Sequence, residues 1–277
     1  MSVIVCAGLA TRDTIWRVPE HPPEDGRVVA TELQVAGGGP AATAAVAIAR
    51  LGVPVAFVGA VGDDEAGDFV RTGLEQEGVD ISGLGVISGA TTAQSTILVG
   101  RAGARSIVHH PGSARVERLP PLEAEWLHVD HVGYRLLEGA SMRGRISVDG
   151  GNRIDGLDLA GVALYAPTEA MLREQFGHAR DALTAGAKLV VVTRGANGSV
   201  ASNAEGVVVA PGVPCNDLVS TLGAGDVFHG ALVAHLAAGE ALISALHAAN
   251  TAASLSCRAL DGRSAIPRRA ELDEARS

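Results

Sequence analysis

Lysine is nearly absent from this chain: Lys188 is the only one among 22 basic residues. It sits in TAGAKLVVV, so the phosphate loop G-x-x-x-x-G-K-[ST] is missing, and so is a V-A-I-K lysine of the protein-kinase type. Cysteine is scarce as well. Cys6, Cys215 and Cys257 are far apart with no C-x-x-C, which excludes a disulfide framework and a zinc ribbon and fits reduced thiols in a cytoplasm. Aromatic residues make up only 3%, so the core must be built from Ala, Val, Leu and Ile. No apolar run is long enough to span a bilayer, and MSVIVCAGLA carries no basic flank; it reads as a buried first strand. A positive balance is missing too: the net charge of −9 argues against nucleic acid and an anionic membrane as partners.

What is present is a chain of 277 residues, 47% hydrophobic, long enough for one large α/β domain with a small appendage. Its 35 glycines exceed the usual share of about 7% and imply tight turns and backbone anion cradles. Short β-branched runs at Val3–Cys6, Val55–Val58, Trp126–Val129, Ile146–Val148, Ala163–Tyr165 and Leu189–Val192 predict strands. Longer periodic stretches at Ala41–Leu51, Glu65–Glu77, Thr168–Phe176, Arg180–Ala185, Ala224–Ala238 and Ala241–Arg258 predict helices. Such alternation specifies a mostly parallel sheet covered on both faces. Two places break it. Val28–Val35, with Val29, Thr31, Leu33 and Val35 on one face, and the pair Thr92–Val99 and Ser106–His109 predict antiparallel strands inserted as a small β lid, or a local meander with no lid function. The C-terminal RRAELDEARS reads as a short surface helix or a frayed tail.

Two glycine segments carry the chemistry. In VSTLGAGDVFHGALVAHLAAG, Gly223, Ala224 and Gly225 lead into a helix whose first turn holds Asp226. Small residues let backbone N–H groups approach an anion, and the helix start adds free donors and a positive dipole end. Asp226 then either complements that dipole or takes a proton from a hydroxyl lying beside a phosphoryl group. In AGGGPAATAAVAIARLG, Gly37, Gly38 and Gly39 precede an alanine-rich helix with Pro40 in its first turn. A dinucleotide fingerprint can be forced onto Gly37, Gly39 and Ala42, but it does not follow the first strand as that motif requires. Close helix packing is the other use for these glycines.

Together AIARLG, TLGAGDVFHG, FVGAVGDDEAGDFV and VVVTRGANGSV, in this order, resemble the ribokinase (PfkB) family of carbohydrate kinases from Val3 to about Pro267. The resemblance implies a three-layer α/β/α sandwich with a small β-sheet lid, a single kinase domain over 1–277 with lid segments at about 14–36 and 88–112. It implies an ATP-dependent sugar kinase with Mg²⁺ bridging phosphate oxygens largely through water, and no protein side chain is assigned as a metal ligand. Asp226 would be the general base, and the amides of Gly223, Ala224 and Gly225 the anion hole. Asp13, Gly38, Gly39 and Thr43 would hold the sugar, joined by Arg27 and His109 from the lid. Thr193, Gly195 and Gly198 would flank the nucleotide phosphates, with Asn250 and Gly262 in the adenine pocket.

Departures from the family pattern matter. Thr43 stands where many members have Asn. Ser220 replaces the acidic residue that helps build a monovalent-cation site. The N-x-x-E magnesium motif is not recoverable from APTEAML. GGGPAATAAVA, GAGDVFHGAL and GRSAIP are similar to the ketohexokinase and bacterial sulfofructose kinase branch, which implies a ketose or related sugar and a homodimer formed through the lid. Arg27, opening the first lid strand, would either read an anionic group on the sugar, with His109 and Arg135 as imperfect companions, or stand as a solvated lid arginine. His229, one helical turn past Asp226, reads as a packing residue or as one that supports the site without touching the substrate. A nucleoside kinase and a catalytically silent sugar-binding regulator are the rival functions.

Overall fold

The computed structural model describes residues 4–120, 122–138 and 142–276. In chain order the elements are β1 (Ile4–Ala7), β2 (Thr11–Arg17), β3 (Glu32–Gly38), α1 (Pro40–Arg50), β4 (Val55–Gly62), α2 (Glu65–Gln76), β5 (Asp80–Ile87), β6 (Gln94–Val99), β7 (Arg105–His110), β8 (Leu122–Val129), β9 (Met142–Gly150), β10 (Val162–Pro167), α3 (Glu169–Gln175), α4 (Ala179–Thr184), β11 (Leu189–Thr193), β12 (Ser199–Asn203), β13 (Gly206–Ala210), α5 (Ala224–Ala237), α6 (Leu242–Ser256) and α7 (Arg269–Ala275). The large sheet runs β13-β12-β11-β10-β9-β8-β1-β4-β5 and the small one β3-β2-β6-β7. From β11 to β5 all pairings are parallel; β12 and β13 close one edge as an antiparallel hairpin.

Strand alternation divides the large sheet between two cores. Ile4 and Cys6 face α1, α2, α5 and α6, while Val5 and Ala7 face α3 and α4. The expected three-layer α/β/α sandwich with a small separate sheet is therefore present. The six expected main-sheet strands and the six expected helices all lie within one or two residues of their predicted bounds or extend beyond them; Val3 falls outside the described residues. The C-terminal segment is a docked helix rather than a frayed tail: Leu272 is fully buried and Arg269 donates to the Leu51 carbonyl at 3.1 Å.

The small sheet differs from expectation in two ways. One of its two inner strands is β2, absent from the expectation, pairing antiparallel to β3 and parallel to β6. And residues 28–31 are not in a strand. Pairing starts at Arg17↔Glu32 because β2 ends there; Thr31 N–H makes the last bond to it, to the Arg17 carbonyl at 2.8 Å. Arg27 therefore does not open a strand; it lies in an exposed connection.

Candidate active site

The carboxyl ends of β1, β8, β9, β10 and β11 open under the small sheet into a cavity of about 380 Å³, the usual place for a ligand in a parallel α/β sheet. Two helices aim their N-termini into it. The starts of α1 and α5 come together because small residues let the helices pack closely: a Cβ at Gly230 would lie 2.4 Å from the Ala44 carbonyl oxygen. This brings both glycine turns to one cleft, which is lined by Gly37, Gly38 and Gly39 on one side and by Gly223, Gly225 and Asp226 on the other.

The α5 turn is built for a close approach. Gly223 caps the helix with φ 73°, and a Cβ there would sit 2.8 Å from Gly262 Cα. A Cβ at Gly225 would meet nothing within 4 Å, so the turn faces open cleft. Asp226 follows in the first helical turn. Loss of water, and then the negative charge of Asp149, push its carboxyl up to about 7, with His229 and Arg105 pulling the other way.

On the small sheet, register does the positioning. Asp13 on β2 pairs with Ala36 and Ser95, and Ser95 with His109, so Asp13, Ser95 and His109 form a row across the inner face. Thr11 Oγ1 donates to Asp13 Oδ1 at 2.7 Å. A Cβ on Gly38 would lie 2.0 Å from Asp13 Oδ2, so only glycine fits opposite that carboxylate. Burial raises the Asp13 carboxyl above its ordinary value against the Thr11 and Ser95 hydroxyls and the charges of Arg263 and His109.

Of the sequence-predicted residues, Asp13, Gly38, Gly39, Thr43, His109, Thr193, Gly223, Gly225, Asp226 and Gly262 line this one cleft. The others do not. Ala224 contributes to the turn without lining the cavity, and Gly195 and Gly198 shape the turn after β11. The Asn250 amide donates to the Ala210 and Pro211 carbonyls at 3.3 and 3.1 Å, tying α6 to the end of β13. Arg27 and Arg135 are exposed and outside the cleft.

Sequence reasoning passed over several residues. Asp130 clasps the site's floor, accepting from Leu9 and Ala41 N–H through Oδ2 and from Val132 and Gly133 N–H through Oδ1. Arg263, buried and brought down to about 10 by that burial, donates to the Gly38 carbonyl at 2.7 Å and Thr43 Oγ1 at 3.2 Å, tying the first glycine turn to the loop whose Gly262 packs on Gly223. Its motif GRSAIP was visible, but not what its side chain holds. Arg105 of β7 lines the cleft and donates to Thr221 Oγ1 at 3.0 Å, placing a cation over the α5 turn. Among the described residues, His128, Asp149 and His229 are the one group able to converge on a metal ion. Asp149 already has neighbours at both oxygens, however: Gly151 N–H donates to Oδ1 at 2.7 Å and His229 Nδ1 lies 3.0 Å from Oδ2.

The profile of pfkB family carbohydrate kinases matches residues 1–160 and 158–269. An ATP-dependent ribose-1-phosphate kinase from Halopiger xanaduensis is 28% identical over 95% of this chain and 94% of its own length. An aminoimidazole riboside kinase from Salmonella typhimurium is 29% identical, covering 83% of this chain and 84% of its own. The crystal structure of ribokinase from Thermotoga maritima superimposes with a TM-score of 0.85 at 25% identity, over 99% of both chains.

Proposed function

This chain belongs to the pfkB family of carbohydrate kinases, and on that premise we propose that it phosphorylates a furanose sugar from ATP with Asp226 as general base. As a member it is a phosphotransferase acting on a sugar or nucleoside hydroxyl, with ATP as donor and Mg²⁺ as its usual partner. The observation that carries the mechanism is the meeting of Asp226 and the open Gly223–Gly225 turn with Asp13, Gly38 and Thr43 in one cleft.

The acceptor hydroxyl lies between Asp226 and the phosphoryl group. Its proton passes to the carboxylate as its oxygen bonds to the γ-phosphorus and the bond to the ADP oxygen breaks. The α5 amides and Arg105 receive the charge on the transferred group. Asp13, held by Thr11, orients hydroxyls on the far side of the sugar. Magnesium carried with ATP would neutralise the phosphates; Asn152, Thr168 and Thr193, all lining the cleft, are the polar groups available to its water shell. Beside the phosphates, Gly195, where a Cβ would meet nothing within 4 Å, leaves room for the nucleotide, while Gly198 lets the turn pack against the backbone of residues 210–212; Gly262 and Asn250 would shape the adenine wall.

For the substrate, we favour a ribose-type furanose over the ketose implied by the branch resemblance. The relatives above are named for ribose 1-phosphate, a riboside and ribose itself. A nucleoside is the second candidate: the riboside kinase favours it, but Trp16 faces away from the cleft, since its neighbour Ile15 points inward and is fully buried. We place the protein in the cytoplasm as a homodimer joined through the outer face of the lid sheet. Leu33, Val35 and Val108 stand 54%, 37% and 73% exposed there. ADP release over ribose, ribose 1-phosphate, nucleosides and ketoses tests the whole assignment; turnover on none of them would leave a silent sugar-binding regulator.

A further inference from the structure

Behind Asp226 lies a buried charged group that phosphoryl transfer as described leaves unused. Strand alternation turns His128, Ser147 and Asp149 toward the sheet face covered by α5, since Leu127, Val129 and Val148 belong to the opposite core. His229 comes down from α5 to meet them, one helical turn after Asp226. Its Nδ1 lies 3.0 Å from Asp149 Oδ2, and the two side chains are 4% and 3% exposed. His128 stands beside it with ring centroids 5.9 Å apart, bonded through Nδ1 to Ser147 Oγ at 3.0 Å.

The proton in this group has one stable place. Burial alone would raise Asp149, but His229 more than reverses this and holds the carboxyl down at about 2. Burial alone would empty His229 of its proton, yet Asp149 and then Asp226 raise it. His128 is pushed down to about 4 by burial and by the charge of His229, so it stays neutral. The result is a histidine drawn toward its protonated form, 3.0 Å from a carboxylate held ionised, under the base.

We propose that His229 is a positioning residue, a protonated side chain clamped by Asp149 one turn behind Asp226, whose charge sets the pH at which Asp226 starts to work as a base. This inference rests on Asp226 being that base. The other charged groups facing Asp226 are Arg105 from β7, Asp130 from the end of β8 and Arg263 from the loop before α7. Without the imidazolium, Asp226 and Asp149 would be two carboxylates sharing a site poor in water, and the one facing the cleft would hold its proton to higher pH.

The test is the pH dependence of kcat/KM for ADP release, using the sugar with the highest turnover in the panel above. Comparing variants cancels the ionisation of ATP and of the sugar. His229→Gln should move the acid limb up by about one pH unit, the low end of the effect of a nearby opposite charge. Asp149→Asn removes the charge that pushes Asp226 up, so its limb should stay or move down. His128→Gln exchanges one neutral group for another and should leave the limb where it is. Mere packing damage would lower kcat without separating the signs. An unmoved limb in His229→Gln, or upward shifts in both His229→Gln and Asp149→Asn, would overturn the proposal. Circular dichroism checks folding, and His229→Asn repeats the test should the Gln variant not fold. Near-normal turnover in Asp226→Asn would instead sink the base assignment on which this rests.

Discussion

Asp226→Asn separates chemistry from stability in a single variant. The amide keeps the size of the side chain but can neither take a proton nor carry a charge. Turnover should fall by at least about 10²-fold, the ordinary cost of losing a general base, while ATP binding measured by calorimetry persists. Stability should move the other way. The folded carboxyl is raised from 3.8 to about 7. A group raised in this way contributes stability that is fully present below its unfolded value and lost as pH rises through its folded one. At pH 8 wild type therefore carries a penalty that Asn lacks. At about 1.36 kcal/mol per unit the ceiling is roughly 4 kcal/mol, and because Asp226 opens onto the cleft, water reduces it to about 1–2 kcal/mol. That corresponds to a Tm gain of about 2–6 °C for the variant at pH 8, shrinking toward pH 4. Thermal melts at pH 5 and pH 8, run on the preparations used for ADP release, read both effects. Turnover within tenfold of wild type would refute the base; a Tm difference that is independent of pH would refute the electrostatics.

Gly225→Val should fold normally, since a Cβ there meets nothing within 4 Å, yet lose about 10²-fold in kcat as the branched chain fills the phosphate site; Gly223→Ala should lose stability as well, because of its φ of 73° and the contact with Gly262. Ser220 spends its hydroxyl on Leu222 N–H at 3.1 Å, so replacing K⁺ by Na⁺ should change kcat by less than about twofold, there being no carboxylate at that position to bind a cation; strong K⁺ activation would show that other groups rebuild the site. Arg27→Ala should leave KM for anionic and neutral sugars alike unchanged, whereas Arg105→Ala should lower kcat by about tenfold, a charged hydrogen bond's worth. A selective KM rise in Arg27→Ala would return that arginine to the site.

Hydrophobic period and glycine punctuation made the large sheet and its helices legible. What they could not show was pairing. TRDTIWR looks like a polar loop because its inner face carries Asp13 toward the cleft, and only its two partner strands make it an inner strand of the small sheet. DISGLGVI and SVASN, at or next to the sheet's edges, are half-exposed and lack the apolar run that marks a buried strand, while GVVVA keeps such a run on an exposed edge. Asn250 shows the same limit at the level of one side chain: its position was legible, but the carbonyls at the end of β13 that claim its amide come from elsewhere in the chain.

The scarcity of large side chains ties the composition to the site. A chain with 3% aromatics cannot hold its helices apart with rings, and the run Ala41–Ile48 is buried almost entirely against α5, where Gly230 lets the backbones approach. Close packing of α1 and α5 fixes the spacing of their N-termini, and with it the distance between the turn facing Asp13 and the turn preceding Asp226. Arg263, buried and reaching from beside Gly262 to Gly38 and Thr43, helps fix the same spacing. The geometry that phosphoryl transfer needs is therefore set at two points outside the reacting groups, one apolar and one charged. Both residues lie inside segments singled out in the sequence, TLGAGDVFHG and GRSAIP, but what each holds is the separation between two turns, which neither segment states by itself.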